Sequence, residues 1–179
     1  MNGEIDFDLN KAIRKVKDFP KKGILFYDIT SIFTNPEAFK WVVDKTTQIY
    51  KDKNIDSILA VESRGFLFAA PISYNLKIPL ALARKAGKLP GETIKESYKL
   101  EYGEATLEVH KEDIKKGSRV LIIDDLIATG GTLKACASMV EKLGAEGAGI
   151  FGVIGLPFLN YSDLLKGYDV TTLINYDSE

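Results

Sequence analysis

An α/β fold, with a mainly parallel sheet flanked by helices, is predicted by three observations on this chain. Short β-branched runs alternate with segments of helical periodicity, the pattern of strand–helix–strand units. Two of those runs, residues 58–61 and 120–123, are apolar without a break, as strands buried on both faces are. Each leads through a loop of small or charged residues into a helical pattern, which places those loops at the carboxyl ends of strands.

The elements follow in order. An amphipathic helix is expected over residues 9–16, then a segment over residues 19–32 punctuated by Pro20 and Gly23. Residues 23–27 within it read, by themselves, as an edge strand. Thr34-Asn35-Pro36 is a turn and cap, with proline suited to the first helical position, and predicts a helix to about Tyr50. A strand at Ser57–Val61 passes through a loop over residues 62–65 to a helix ending near Leu76. Residues 80–83 form a short third strand. Residues 84–103 carry Gly87, Pro90, Gly91 and Gly103 among charges and read as a long excursion outside the core. Strand signals return over residues 105–109, 119–124 and 148–154. Without internal repeats or a low-complexity linker, residues 1–179 are expected to form a single domain of a size that supports one sizeable core.

Composition excludes several functions. A formal net charge of −1 argues against a nucleic-acid binder with a general electrostatic footprint. The N-terminus Met-Asn-Gly-Glu-Ile-Asp-Phe-Asp is acidic with no apolar run behind it, so no signal peptide is expected. No apolar stretch approaches a membrane span. A single cysteine, Cys136, excludes an internal disulfide and suits a reducing, cytoplasmic compartment. It falls on the apolar stripe of a predicted helix and reads as a packing residue. His110, the one histidine, is expected at the surface end of a strand; a mononuclear zinc site or a Ser-His triad would need more than this chain offers.

The chemistry concentrates in residues 120–132, Val-Leu-Ile-Ile-Asp-Asp-Leu-Ile-Ala-Thr-Gly-Gly-Thr. Asp124 and Asp125 sit where the strand is expected to end. Thr132 is expected to cap a helix whose apolar positions Leu133, Cys136, Ala137, Val140 and Leu143 recur at helical spacing, with Gly144 as its stop. Gly130 and Gly131 let the backbone approach an anion closely. The amides of Ala128, Thr129, Gly130, Gly131 and Thr132 would point out at a helix N-terminus, where unpaired donors and the macrodipole favour negative charge. Two carboxylates would repel a phosphate, but they accept charge-assisted hydrogen bonds from sugar hydroxyls. The pattern fits a ribose 5-phosphate. It lacks the Gly-Lys-Ser/Thr of a Walker loop and the glycine spacing of a dinucleotide site.

Between residues 84 and 99 five cations, Arg84, Lys85, Lys88, Lys95 and Lys99, stand against Glu92 and Glu96, which read as helix-capping carboxylates. Next to Arg64 and a phosphate cradle, this excess suits a second, more highly charged anion such as pyrophosphate, with Arg fitted for bidentate contact. Tyr98 and Tyr102 would add hydroxyl donors.

Residues 120–132 resemble the ribose-phosphate signature of the type I phosphoribosyltransferases. Three further stretches, Phe19-Pro20-Lys21-Lys22-Gly23-Ile24-Leu25-Phe26-Tyr27-Asp28-Ile29, Glu62-Ser63-Arg64-Gly65-Phe66-Leu67-Phe68 and Arg84-Lys85-Ala86-Gly87-Lys88-Leu89-Pro90-Gly91 running on to Tyr98-Lys99-Leu100-Glu101-Tyr102-Gly103, are similar to the adenine-specific members. In order and spacing the likeness covers roughly residues 7 to 176.

The resemblance implies transfer of the phosphoribosyl group of 5-phosphoribosyl pyrophosphate (PRPP) to adenine, giving AMP and pyrophosphate in purine salvage. It implies that Asp124, Asp125 and residues 128–132 hold ribose 5-phosphate, and that Arg64, Lys88 and Tyr102 hold pyrophosphate. Residues 19–34 become the base-binding segment, with Leu25 backbone groups on the base edge, Phe26 on one face, Leu156 opposite and Tyr27 alongside. Glu101 becomes the acid/base carboxylate and residues 84–103 a flexible hood. A cis peptide is implied at Glu62–Ser63, Mg²⁺ is carried in by PRPP rather than held by the protein, and a homodimer is implied. Position 27 is basic in many relatives, so Tyr27 is a departure: it offers a hydrogen bond without a charge. Transfer to hypoxanthine, xanthine or orotate is the competing enzymatic reading, and a PRPP-binding regulator the competing non-enzymatic one.

Overall fold

The computed structural model describes residues 7–99 and 103–178. Among these, seven strands form one sheet and two form another. The chain opens with a short helix, α1 (Leu9–Ala12), and a hairpin of β1 (Arg14–Lys17) and β2 (Leu25–Asp28). Two helices follow, α2 (Thr30–Phe33) and α3 (Pro36–Tyr50). The main sheet is then built by β3 (Ser57–Val61), α4 (Arg64–Leu76), β4 (Leu80–Lys85), β5 (Thr93–Lys99), β6 (Glu104–His110), β7 (Arg119–Ile127), α5 (Gly131–Lys142), β8 (Glu146–Gly155), α6 (Tyr161–Leu164) and β9 (Val170–Asn175).

Strand order is β5-β6-β4-β3-β7-β8-β9. The contiguous strands β4, β3, β7, β8 and β9 are parallel, and β6 runs antiparallel to both β4 and β5. The mainly parallel α/β architecture is therefore as expected. From β3 the chain crosses through α4 to β4 on one side, then returns to β7 on the other. Right-handed crossovers in opposite directions put their helices on opposite faces. Period-two alternation supplies both faces with apolar residues. Ile58, Ala60, Leu121, Ile123 and Phe151 pack with α3 and α4, while Leu59, Val61, Val120, Ile122 and Ile150 pack with α5. Phe68 of α4 anchors the first face beside Phe33 and Phe39, with ring centroids 4.9 and 5.9 Å away.

Several local expectations hold. Asn35 caps α3 by accepting the Ala38 amide at 3.1 Å, with Pro36 in the first turn. Cys136 is fully buried in the second core, and burial pushes its thiol pKa up. Gly144 ends the α5 region at φ +78°, with its amide on the Glu141 carbonyl. His110 is the last residue of β6.

Other expectations are corrected. The helix predicted over residues 9–16 stops at Ala12, because Arg14–Lys17 pairs with β2 and the Arg14 Nε donates to Asp28 Oδ2 at 2.8 Å. Residues 84–103 are not wholly outside the core: β4 runs on to Lys85 and β5 pairs with β6 along its length. Ile94 and Tyr98 pack on the α5 side, and Glu96 between them accepts Ser138 Oγ at 3.0 Å and Lys142 Nζ at 2.5 Å. Glu92 is paired with Lys111, so neither carboxylate caps a helix. β9 was not anticipated, because Val-Thr-Thr-Leu-Ile-Asn is a half-buried edge strand with little apolar contrast.

The start of residues 84–103 is pinned by Glu108 of β6, which is 1% exposed. Its Oε1 accepts the amides of Lys88 and Leu89 at 2.8 and 2.9 Å, and its Oε2 faces Lys95 Nζ at 3.4 Å. The Leu89 amide leads the groups that hold this carboxyl at about 2, against the opposing effect of burial. Because that value lies below the ordinary 4.5, the stabilisation is complete above about pH 4.5 and is lost as pH falls towards 2. Glu108→Gln should therefore lower the urea midpoint of unfolding at pH 6, and the gap to wild type should narrow steadily towards pH 3. A gap independent of pH would show that the charge contributes nothing.

Candidate active site

The reversal of direction at β3 opens a crevice between the carboxyl ends of β3 and β7, the position where ligands collect in open α/β sheets. The peptide Glu62–Ser63 beyond β3 is cis, as the sequence reading placed it. Arg64 opens α4 there and faces β7, its Nε 2.5 Å from Asp125 Oδ2. The next residue is a glycine, where a side chain would be crowded. A Cβ on Gly65 would lie 3.1 Å from Asp124 Oδ1 and 3.0 Å from the Ile123 carbonyl oxygen.

The two aspartates do not end the strand. β7 continues to Ile127, with Asp124 opposite Gly152 and Ile127 opposite Gly155 of β8, so both carboxylates are buried within the sheet. Parallel pairing with β8 extends the strand past the change in side-chain polarity. Asp124 Oδ1 accepts the amide of Asp125 at 2.8 Å. Burial, and then the charge of Asp125, raise the Asp124 carboxyl well above its ordinary range.

Beyond Ile127 the chain turns through Ala128, Thr129 and Gly130 into α5. Gly130, not Thr132, is the cap: it is left-handed at φ +85° and no side chain caps the helix. A side chain at 130 would also meet Leu165 Cγ at 3.1 Å. Thr132 thus falls inside the first turn, half-buried, while Thr129 is exposed. The first amides of this 12-residue helix point out of its N-terminus beside the crevice, as the phosphate reading requires.

On the other side of Asp125 lies a cavity of about 470 Å³. Phe26, Tyr27, Arg64 and Asp125 line it together with Phe19, Asp28, Ile29 and Thr30 of the expected base-binding segment, and with Val16 and Leu126, for which the sequence carried no site expectation. Phe26 and Phe19 meet edge to face, centroids 5.1 Å apart, and remain 37% and 51% exposed, an open apolar wall. Thr30 donates through its hydroxyl to Asp28 Oδ1 at 2.6 Å, and this bond leads the contacts that lower the Asp28 carboxyl pKa. Asp28 and Ile29 end the quoted Phe19–Ile29 stretch and Thr30 follows it, and the Asp-x-Thr turn pattern is the available signal. Leu25 and Leu156 are half-buried against the first core and are not among the lining residues; the Leu156 amide donates to the Ile127 carbonyl at 2.9 Å.

Glu62 binds the end of β4, accepting the Lys85 amide at 3.0 Å and Arg84 Nε at 3.2 Å. Partial burial opposes its charge, yet these contacts hold its pKa below the ordinary value. Lys88 lies just beyond, exposed, with its amide on Glu108. Glu101 and Tyr102 lie outside the described residues. Among the described residues no group of three or more His, Cys, Asp or Glu side chains comes together as a metal cage. No helix there is long and apolar enough to cross a membrane.

The family model for the phosphoribosyl transferase domain matches residues 28–157. Adenine phosphoribosyltransferase of Treponema denticola is 61% identical over 171 residues, 96% of this chain and 90% of its own length. Among solved structures, adenine phosphoribosyltransferase from Thermoanaerobacter pseudethanolicus gives a TM-score of 0.89 at 43% identity, covering 94% of this chain and 98% of that one. That of Saccharomyces cerevisiae, complexed with D-2,5-dideoxy-2,5-imino-altritol 1,6-bisphosphate and adenine, gives 0.86 at 40% identity over 92% and 96%. By family match, identity and fold, this chain belongs to the phosphoribosyltransferase family, on the branch of the adenine phosphoribosyltransferases.

Proposed function

We propose that the crevice transfers the 5-phosphoribosyl group of PRPP to N9 of adenine, releasing pyrophosphate and forming AMP for purine salvage. The observation that carries this reading is one shared wall. Arg64 and Asp125 line the same cavity as Phe26 and Tyr27, while the uncapped start of α5 lies a few residues beyond Asp125. This arrangement supports an anion site, a sugar-hydroxyl site and an apolar slot in the order phosphate, ribose, base. The yeast relative was crystallised with a bisphosphate and adenine together, which supports a site that takes both kinds of group here.

In this reading the C1–O bond to pyrophosphate breaks and its electron pair leaves on the pyrophosphate oxygen. The ribose ring takes on oxocarbenium character, and the N9 lone pair closes the new bond. The proton lost from the imidazole edge of the base passes to Glu101, a role resting on sequence alone. Catalysis is then mainly positioning and electrostatics. Arg64, with Lys88 and Tyr102, receives pyrophosphate; residues 128–132 receive the 5-phosphate; Asp124 and Asp125 accept the ribose hydroxyls. Mg²⁺ would be supplied as part of the PRPP substrate and, when bound, would offset the charge of the leaving group. Phe26 stacks on the base, Leu25 and Leu156 complete its pocket, and Tyr27 supports it.

The proposal extends to organisation. Residues 1–179 act as one catalytic domain, with residues 19–34 reading the base and residues 84–103 as the hood. A homodimer is supported by α4, where Leu67 and Tyr74, on one face seven residues apart, are 51% and 83% exposed. A cytoplasmic setting is supported by the buried, unpaired Cys136.

Three outcomes are expected. Purified protein with Mg²⁺, PRPP and adenine should yield AMP, with hypoxanthine poorer by on the order of 10⁴-fold because its edge leaves buried groups unpaired; nucleotide from another base but not from adenine would overturn the assignment. Replacing Thr129 and Thr132 by Val should weaken AMP and PRPP together, by roughly tenfold or more for lost bonds to a charged group, as read by calorimetry. Arg64→Ala should weaken pyrophosphate far more than AMP in the same titrations, and equal losses would count against separate anion sites.

A further inference from the structure

The wall behind the base cavity is held by the last residues of the chain. Tyr27 of β2 lies flat on Tyr176, with ring centroids 3.7 Å apart and planes 12° from parallel. The Tyr27 hydroxyl donates to the Ser178 carbonyl at 3.1 Å. The Tyr176 hydroxyl donates to Asn10 Oδ1 at 2.8 Å, and Lys15 Nζ lies 5.5 Å from the centroid of the Tyr176 ring. On its other side, Tyr176 is fastened to the main sheet: its amide donates to the Gly155 carbonyl at 3.0 Å, at the end of β8. Residues 176–178 therefore tie α1, β1 and β2 to the carboxyl edge of β8.

This tie has work to do because β1 and β2 form a sheet of their own. Backbone hydrogen bonding does not continue from the main sheet into β2, so side-chain packing sets the distance from Phe26 to Arg64 and Asp125. Tyr27 adjoins Phe26 and is 8% exposed, and the face of its ring is taken by Tyr176. Misplacement by about 1 Å can cost on the order of 10²-fold in a reaction that depends on positioning. We propose that Tyr176 is a positioning residue for the base: through its stack on Tyr27 it holds β2, and with it Phe26, at the separation from the ribose side of the crevice that adenine requires. The inference rests on the reading of β2 as the base-binding strand.

Steady-state kinetics on the full chain test it, with KM for adenine and for PRPP measured separately. Tyr176→Leu, which keeps bulk and loses the stack, should raise the adenine KM by about three- to tenfold, the range expected for an aromatic pair, and leave the PRPP KM within about twofold. Tyr176→Phe keeps the ring and should restore the adenine KM to within about twofold of wild type. A merely structural role would lower the thermal midpoint without splitting the two KM values. An unchanged adenine KM, or equal rises in both, would overturn the proposal. Tyr176→Met carries the same contrast if Tyr176→Leu does not fold. Phe26→Ala separates the two layers of inference. If it raises the adenine KM, the base site stands whatever Tyr176 does; if it leaves that KM unchanged, the base-site reading fails and the role of Tyr176 falls with it.

Discussion

Two adjacent carboxylates inside a sheet buried on both faces set the terms for everything around the crevice. Ionised groups removed from water are costly unless they are paired or protonated, and Asp124 and Asp125 sit side by side in β7 with only a few per cent of their surface exposed. The two solve the problem differently. Asp124 turns back onto the amide of Asp125, while burial and the neighbouring charge raise its pKa. Asp125 finds Arg64. That pairing dictates where α4 must begin, since its first residue has to reach across from β3 to β7. It also favours Gly65, because α4 comes so close that a Cβ there would be crowded.

From that contact the rest of the site follows geometrically. Crossovers leaving β3 and β7 in opposite senses put α4 and α5 on opposite faces, so their N-termini flank one crevice from two sides. One N-terminus presents an arginine and the other an uncapped turn of amides. Both favour anions, and the acidic pair stands between them. A molecule with an anionic group at each end and hydroxyls in the middle is the complement of such an arrangement, a conclusion that needs only charge and topology. The apolar cavity beside Asp125 then has room for a flat, weakly polar ring.

The central strands, the α3 cap, the buried cysteine and the turn from β7 into α5 were legible in the sequence because each rests on local rules: unbroken β-branched runs, Asn-Pro capping, helical spacing and paired glycines. What was misread depends on distant partners. Residues 14–17 have helical spacing but pair with β2, and the Arg14–Asp28 contact that favours the strand spans half-exposed surface that no periodicity reports. Residues 93–99 are rich in charge, yet alternate Ile94, Glu96 and Tyr98 towards α5, where Lys142 and Ser138 absorb the one carboxylate. The strand carrying the aspartates ran longer than expected because β8 supplies pairing partners beyond the acidic pair. Glu108 and Tyr176 were invisible as site-supporting groups. A lone Glu in an alternating strand looks solvent-facing, and a single tyrosine just after the half-buried β9 has no pattern at all.

Why position 64 calls for arginine rather than lysine can be argued from the same contact. A lysine is a point charge on a flexible stem; it can neutralise Asp125 or an incoming anion, but it holds neither in a fixed plane. The guanidinium carries five donors in a rigid fork. Asp125 is met through Nε, which leaves both terminal amino groups outside that bond, on a side chain that is 50% exposed where it borders the cavity. Arg64 is thus able to orient the carboxylate and still offer a planar pair of donors to an anion. The buried aspartate stays paired when an anion arrives, so anion binding need not expose an unpaired charge inside the sheet. One residue thereby connects the acidic pair of β7 to the cavity and, in the proposed function, the sugar side of the crevice to its anion side.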